Sequence, residues 1–197
     1  MTMERSGAAS RNTQETQVDI RIVLDGIGQR DISTGIPFFD HMLTLFAAHG
    51  FFDLAIKARG DIEVDFHHTV EDVGLVLGEA VKKALGDRSG IRRYGYAVTP
   101  MDESLSSVAV DLSNRPYLVF NAPSPAFAET GFGLSLTKEF FRALATSGGM
   151  TLHINVLYGD NEHHVIESIF KAVARALDAA AGRDDRISGP LSTKGCI

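Results

Sequence analysis

The chain has a single cysteine, Cys196, one residue from its last position. One thiol cannot close an intrachain disulfide, so the fold cannot rest on a cystine framework, and a reducing compartment suits it. No run of 18 apolar residues occurs, which argues against a membrane-spanning helix, and residues 1–14 lack the apolar stretch of a secretory signal. There is no block of Lys and Arg. With 25 acidic against 19 basic residues the net charge is -6, which offers no footprint for nucleic acid or an anionic membrane. The expectation is a cytoplasmic protein whose polar residues 1–14 form a flexible N-terminal arm.

At 197 residues and 44% hydrophobic content, the chain can bury one core, shared by a single domain or by two small halves. Val18, Ile20 and Ile22 alternate with Asp19 and Arg21, the period of a half-buried strand, ending at Asp25-Gly26. Pro37 and Gly50 bracket a helix expected over 38–48. A strand over 52–59 should turn at Gly60-Asp61 into a short strand over 62–64, and a helix should run from His67 to Leu85 with Gly86 as its stop.

The same order then recurs. Val108 and Val110 alternate, a strand follows over 117–120, a helix over 134–147, a strand over 151–157 and a helix over 163–181. Residues 121–133, with Pro123 and Pro125, read as a surface loop. The pattern predicts an internally duplicated α+β two-layer sandwich, each half a small mixed sheet with two helices on one face. The halves are set at 15–93 and 94–185, with a C-terminal tail over 186–197.

The strongest chemical signal sits at the start of each long helix: His67-His68-Thr69-Val70-Glu71 and, 96 positions later, His163-His164-Val165-Ile166-Glu167. At 100° per residue, the two histidines and the glutamate of each copy share one face, opposite the apolar stripe, and so point away from the core. Asp65 and Asn161 are placed to cap these helices, although Thr69 with Asp72 offers a rival capping box that would leave the first histidines outside the helix. Adjacent histidines splay too widely to share one ion. Each pair is therefore expected to serve two metals, or to reach a neighbouring subunit. With His49 set aside, His41, His67, His68, His153, His163, His164, Glu71 and Glu167 make two sets of three His and one Glu, suited to Mn, Fe or Zn with positions left open for chemistry.

Lys171 lies one turn beyond Glu167, where the first copy has Leu75. One cation beside the metal suits an anionic substrate. Arg93, Arg115 and the Ser192-Thr193-Lys194-Gly195 segment are the further groups that could hold a phosphate.

Several ordered motifs resemble those of the imidazoleglycerol-phosphate dehydratase family of histidine biosynthesis, over nearly the whole chain. They are residues 35–43 (Gly-Ile-Pro-Phe-Phe-Asp-His-Met-Leu), the first triplet through Asp72, Met101-Asp102-Glu103, Arg115-Pro116-Tyr117, the second triplet with Phe170-Lys171-Ala172, and the Ser192 segment. The resemblance implies a fold like ribosomal protein S5 domain 2, and two Mn²⁺ ions per subunit at contacts in a 24-mer built from trimers. It implies those eight residues as the ligands. Substrate would be bound by Glu15, His49, Arg93, Arg115, Lys171, Ser192 and Lys194, with Glu15, Glu71 and Glu167 as the catalytic carboxylates. The implied reaction is loss of water from imidazole glycerol phosphate to give imidazole acetol phosphate, driven by a Mn-bound imidazolate. The rival readings are another binuclear-metal enzyme acting on a phosphorylated small molecule, and a non-catalytic oligomer assembled by metal.

Overall fold

A computed structural model of the chain describes residues 4–122 and 131–195. Cys196 and residues 123–130 of the expected surface loop lie outside the described residues. The first half is built from β1 (Ser6–Asn12), β2 (Thr16–Val23), β3 (Arg30–Ser33), α1 (Pro37–His49), β4 (Asp53–Gly60) and α2 (His67–Leu85). The second half comprises β5 (Tyr94–Met101), β6 (Ser104–Asp111), β7 (Tyr117–Asn121), α3 (Leu134–Gly148), β8 (Thr151–Tyr158) and α4 (Glu162–Ala181). The fold is α+β with duplicated halves. Each half has one four-stranded mixed sheet, ordered β1-β2-β4-β3 and β5-β6-β8-β7, in which only the last pair is parallel.

Alternation drives the sheets: Thr16, Val18, Ile20 and Ile22 of β2 turn inward, as do Ser104, Ser106, Val108 and Val110 of β6. α2 lies on β1 and β2, and α4 lies on β5 and β6. The outer helices cross between halves, α1 packing on α4 and α3 on α2. One hydrophobic cluster takes in all four helices and strands of both sheets, including Phe39, Phe46, Leu77, Phe140, Phe170 and Leu177. No helix among the described residues is long and apolar enough to cross a membrane.

The structure corrects two expectations of the fold. Residues 6–12, inside the expected flexible arm, form β1, paired along its length with β2. Its inward residues are Gly7 and Ala9, too small to show a hydrophobic period, because α2 passes directly over them. A Cβ on Gly7 would stand 2.0 Å from the Ala80 carbonyl oxygen, and a Cβ on its counterpart Gly95 in β5 would stand 1.8 Å from that of Ala176. β5 escapes the pattern for the same reason. Residues 62–64 are a turn rather than a strand, closed by Val64 N–H donating to the Asp61 carbonyl at 2.8 Å, with Val64 71% exposed and without a sheet partner. The tail is tied back by a bridge between Ser89 and Pro190 and by Arg93, which donates to the Leu191 carbonyl at 2.6 Å.

Candidate metal centre

α4 starts at Glu162 behind its cap Asn161 and α2 at His67 behind Phe66, and in each an upstream side chain accepts amides of the first turn. Asn161 Oδ1 accepts from His163 N at 2.9 Å and His164 N at 3.4 Å. Asp65 Oδ1 accepts from His67 N at 2.7 Å. The rival capping box does not form: Asp72 is buried and bonded to Arg11 and Thr16, and Thr69 Oγ1 is buried without a hydrogen-bond partner. His67 and His163 therefore stand one helical turn before Glu71 and Glu167, on the same face.

In the second half, α1 closes over this face and delivers His41. His163 Nε2 lies 3.3 Å and His41 Nε2 3.7 Å from Glu167 Oε2, while Lys171 Nζ holds Glu167 Oε1 at 2.5 Å. The edge of His163 meets the Phe38 ring, which fixes its plane. Glu167 is buried, contrary to the outward-facing expectation from the helix wheel, because α1 lies across it. Burial works to raise its pKa, but Lys171, with His41 and His163, outweighs burial and holds the carboxyl below its ordinary value.

The first half builds a related cluster. His67 Nε2 is 3.9 Å from Glu71 Oε2, and Arg142 of α3 donates to Glu71 Oε1 at 3.2 Å. Glu139, also of α3, joins His67 and Glu71 in a group whose donor atoms could hold one ion, as His41, His163 and Glu167 do. α3 comes this close because α2 presents Gly74 and Gly78 to it: a Cβ on either would stand 2.6 Å from an α3 carbonyl oxygen.

The second histidine of each pair turns elsewhere. His68 Nδ1 faces Asp61 Oδ2 at 3.0 Å with Glu15 at 3.9 Å, and His164 Nδ1 faces Glu103 Oε2 at 2.7 Å. A carboxylate only accepts, so each Nδ1 carries the proton and each Nε2 is left as a ligand atom. Donating to Asp61 raises the pKa of His68, donating to Glu103 raises the pKa of His164, and the same bond pulls Glu103 down to about 2. His153 is exposed on β8 and joins neither cluster. Among the described residues one chain thus assembles two partial sets, and neither contains three His and one Glu.

The expected phosphate holders gather apart from the histidines. Arg93, Arg115, Ser192 and Lys194 line one open cleft of about 860 Å³, together with Ser113 and Asn114. Arg93 also forks Asp111, with Nε at 2.7 Å, and so braces the cleft wall. Lys171 and His49 are not among the residues lining this cleft. His49 sits at the end of α1 beside a hollow lined by Phe51, Tyr96 and Arg175, and burial followed by the charge of Lys171 lowers its pKa. Glu15 is exposed in the β1–β2 turn.

The donor chemistry fits a metal. Imidazole nitrogens and carboxylate oxygens converge within 4.8 Å of one another in each cluster, a mixed set that suits Mn, Fe or Zn. Sequence reasoning missed Asp61, Glu103, Glu139 and Arg142. Glu103 carried a signal, since the β5–β6 turn repeats the β1–β2 turn and puts it where the first half has Glu15.

Fold and clusters together define the class: an internally duplicated α+β protein carrying two clusters of histidine and carboxylate that could each hold a metal ion. The comparisons then narrow it. The imidazoleglycerol-phosphate dehydratase family model matches residues 34–177, and the chain belongs to that family, lyases of histidine biosynthesis. It is 72% identical to the imidazoleglycerol-phosphate dehydratase of Desulfosudis oleivorans, over 99% of this chain and 100% of that one. Among solved structures, the dehydratase from Staphylococcus aureus matches with a TM-score of 0.80 at 41% identity, over 91% of this chain and 99% of that one. The enzyme from Pyrococcus furiosus, in complex with (S)-C348, matches with a TM-score of 0.83 at 39% identity, over 95% of this chain and 99% of that one.

Proposed function

We propose that this chain converts imidazole glycerol phosphate to imidazole acetol phosphate and water in the cytoplasm, using two Mn²⁺ ions per subunit shared across the contacts of a 24-mer built from trimers. The observation that carries this reading is the incompleteness of the two clusters. Against three His and one Glu, the set of His41, His163 and Glu167 lacks one imidazole and that of His67 and Glu71 lacks two, and His68, His164 and His153 join neither cluster among the described residues. A neighbouring copy supplies what each set lacks.

Bound there, Mn²⁺ would supply the positive charge that lets the substrate's imidazole ring carry negative charge. The chain's own residues do the rest. Arg115, Ser192 and Lys194 hold the phosphate in the cleft, and Arg93 keeps the tail in place over it. Lys171 and His49 complete the substrate contacts. A hydroxyl leaves one carbon of the glycerol chain and a proton leaves its neighbour, together making water. Glu15 takes that carbon-bound proton and hands it on to the departing hydroxyl, and the resulting enol becomes the ketone.

Metal-stripped protein is expected to make no ketone from imidazole glycerol phosphate and to regain turnover when Mn²⁺ is added. Full Mn²⁺ binding with no product would overturn the reading.

Acid should release the metal, with a sign set by the second histidines. His68 and His164 bind an ion only when neutral, and their carboxylate partners raise their pKa values above the usual 6.5. Mn²⁺ content should therefore fall with decreasing pH, and at a higher pH than if both imidazoles kept their ordinary pKa. Glu103→Gln should move that fall to lower pH, as followed by metal analysis of gel-filtered protein. An unchanged profile would remove Glu103 from the site.

A further inference from the structure

The two halves hold their glutamates by different means. Phe39, Met42, Leu43, Phe46 and Ala47 of α1 match Thr137, Phe140, Phe141, Leu144 and Ala145 of α3 at a constant spacing, all of them buried. That register places Glu139 where the first half has His41, and Arg142 where it has Thr44. Likewise Lys171 of α4 stands where α2 has Leu75. The second half takes its cation from the glutamate's own helix, the first from the helix packed against it.

The outcome at the carboxylate is nevertheless the same. Lys171 occupies Oε1 of Glu167 and leaves Oε2 beside His163, while Arg142 occupies Oε1 of Glu71 and leaves Oε2 beside His67. Arg142 is itself fixed by Glu139, which accepts from both its Nε, at 3.2 Å, and its Nη2. A planar guanidinium can hold one carboxylate in a fork and still reach a second, which an ammonium does less well. Both Glu139 oxygens are engaged by Arg142, so Glu139 acts through the arginine and not as a ligand.

Resting on the metal reading of His67 and Glu71, we propose that Arg142 is a positioning residue for the first-half metal site: anchored on Glu139, it orients Glu71 so that Oε2 is presented beside His67 Nε2. The Arg142 side chain is 54% exposed. An ion pair that open adds little to folding, so its loss should be read at the metal and not in the fold.

The test is Mn²⁺ titration of metal-stripped full-length protein, with free ion followed by electron paramagnetic resonance and metal-free thermal unfolding alongside. Wild type should bind two ions per subunit. Arg142→Leu should weaken one of them about 10- to 100-fold, the usual cost of losing a group that orients a ligand, and leave the other unchanged. Arg142→Lys should recover only part of that loss, since an ammonium cannot fork Glu139 and reach Glu71 as well, and Glu139→Gln should weaken the same ion by less than Arg142→Leu does. Should the leucine variant not fold, the lysine and Glu139→Gln variants carry the test. Two ions bound by Arg142→Leu as tightly as by wild type would overturn the proposal. So would a larger loss from Glu139→Gln than from Arg142→Leu, which would make Glu139 a ligand. Wild type binding no Mn²⁺ would instead bring down the metal reading, and this inference with it.

Discussion

Glu167→Gln is expected to leave one metal per subunit in place of two and to lower turnover about 10³-fold, since positive charge at a reacting centre is worth several kcal/mol and each 1.36 kcal/mol is tenfold. The size of the effect follows from position. Glu167 is the only carboxylate in its cluster, its side chain is 9% exposed, and both His41 Nε2 and His163 Nε2 face its Oε2. An amide of the same shape keeps the packing but cannot balance both Lys171 and an ion. Lys171, its side chain 14% exposed, would then be left with Nζ 3.3 Å from Met101 Sδ and, among the described residues, no carboxylate. The expected signature is a variant that binds half the metal and, metal-free, unfolds below wild type because Lys171 has lost its partner. Two ions and undiminished turnover would remove the His41–His163–Glu167 cluster from the site.

How much of this was legible in the sequence depends on how local each signal is. The extent of α2 was read correctly from its apolar stripe and its glycine stop, and the triplets from spacing along a single helix. His41 was selected by elimination among seven histidines, and α1 does carry it to His163. The groups that went unread act between elements. Arg142 and Glu139 become part of the site only because Gly74 and Gly78 let α3 settle against α2, and no periodicity within α3 reports that contact. Asp61 lies in a turn, where a carboxylate beside a histidine leaves no pattern in the chain, and Glu103 was marked only by its match to Glu15 across the duplication. β3 was missed because four mostly exposed residues paired in parallel show no alternation of their own. His67, Glu71, His163 and Glu167 were therefore readable because they repeat along a helix, while the groups around them were not, because those depend on packing between elements.

Packing between elements also sets the largest expected effect on stability, for Gly95→Ala. The added methyl would stand 1.8 Å from the Ala176 carbonyl oxygen and 2.8 Å from Ala180 N, both backbone atoms of a buried helix that cannot rotate aside. Overpacking that side chains can relieve costs about 1–3 kcal/mol; here a helix or a strand must shift, so about 3 kcal/mol or more is expected as a fall in the urea midpoint. Relief requires α4 to lift from β5, and α4 carries His163, His164, Glu167 and Lys171. Stability and site are thus coupled through one contact, and Gly95→Ala should weaken the metal at Glu167 more than the metal at Glu71. Gly7→Ala, meeting the Ala80 carbonyl oxygen at 2.0 Å under α2, should do the reverse. Each glycine would then serve its own half's triplet, which explains why the duplicated strands keep glycine at the one position where their helices press hardest. A wild-type urea midpoint for Gly95→Ala would mean that β5 yields without moving α4, and the link between strand and site would fail.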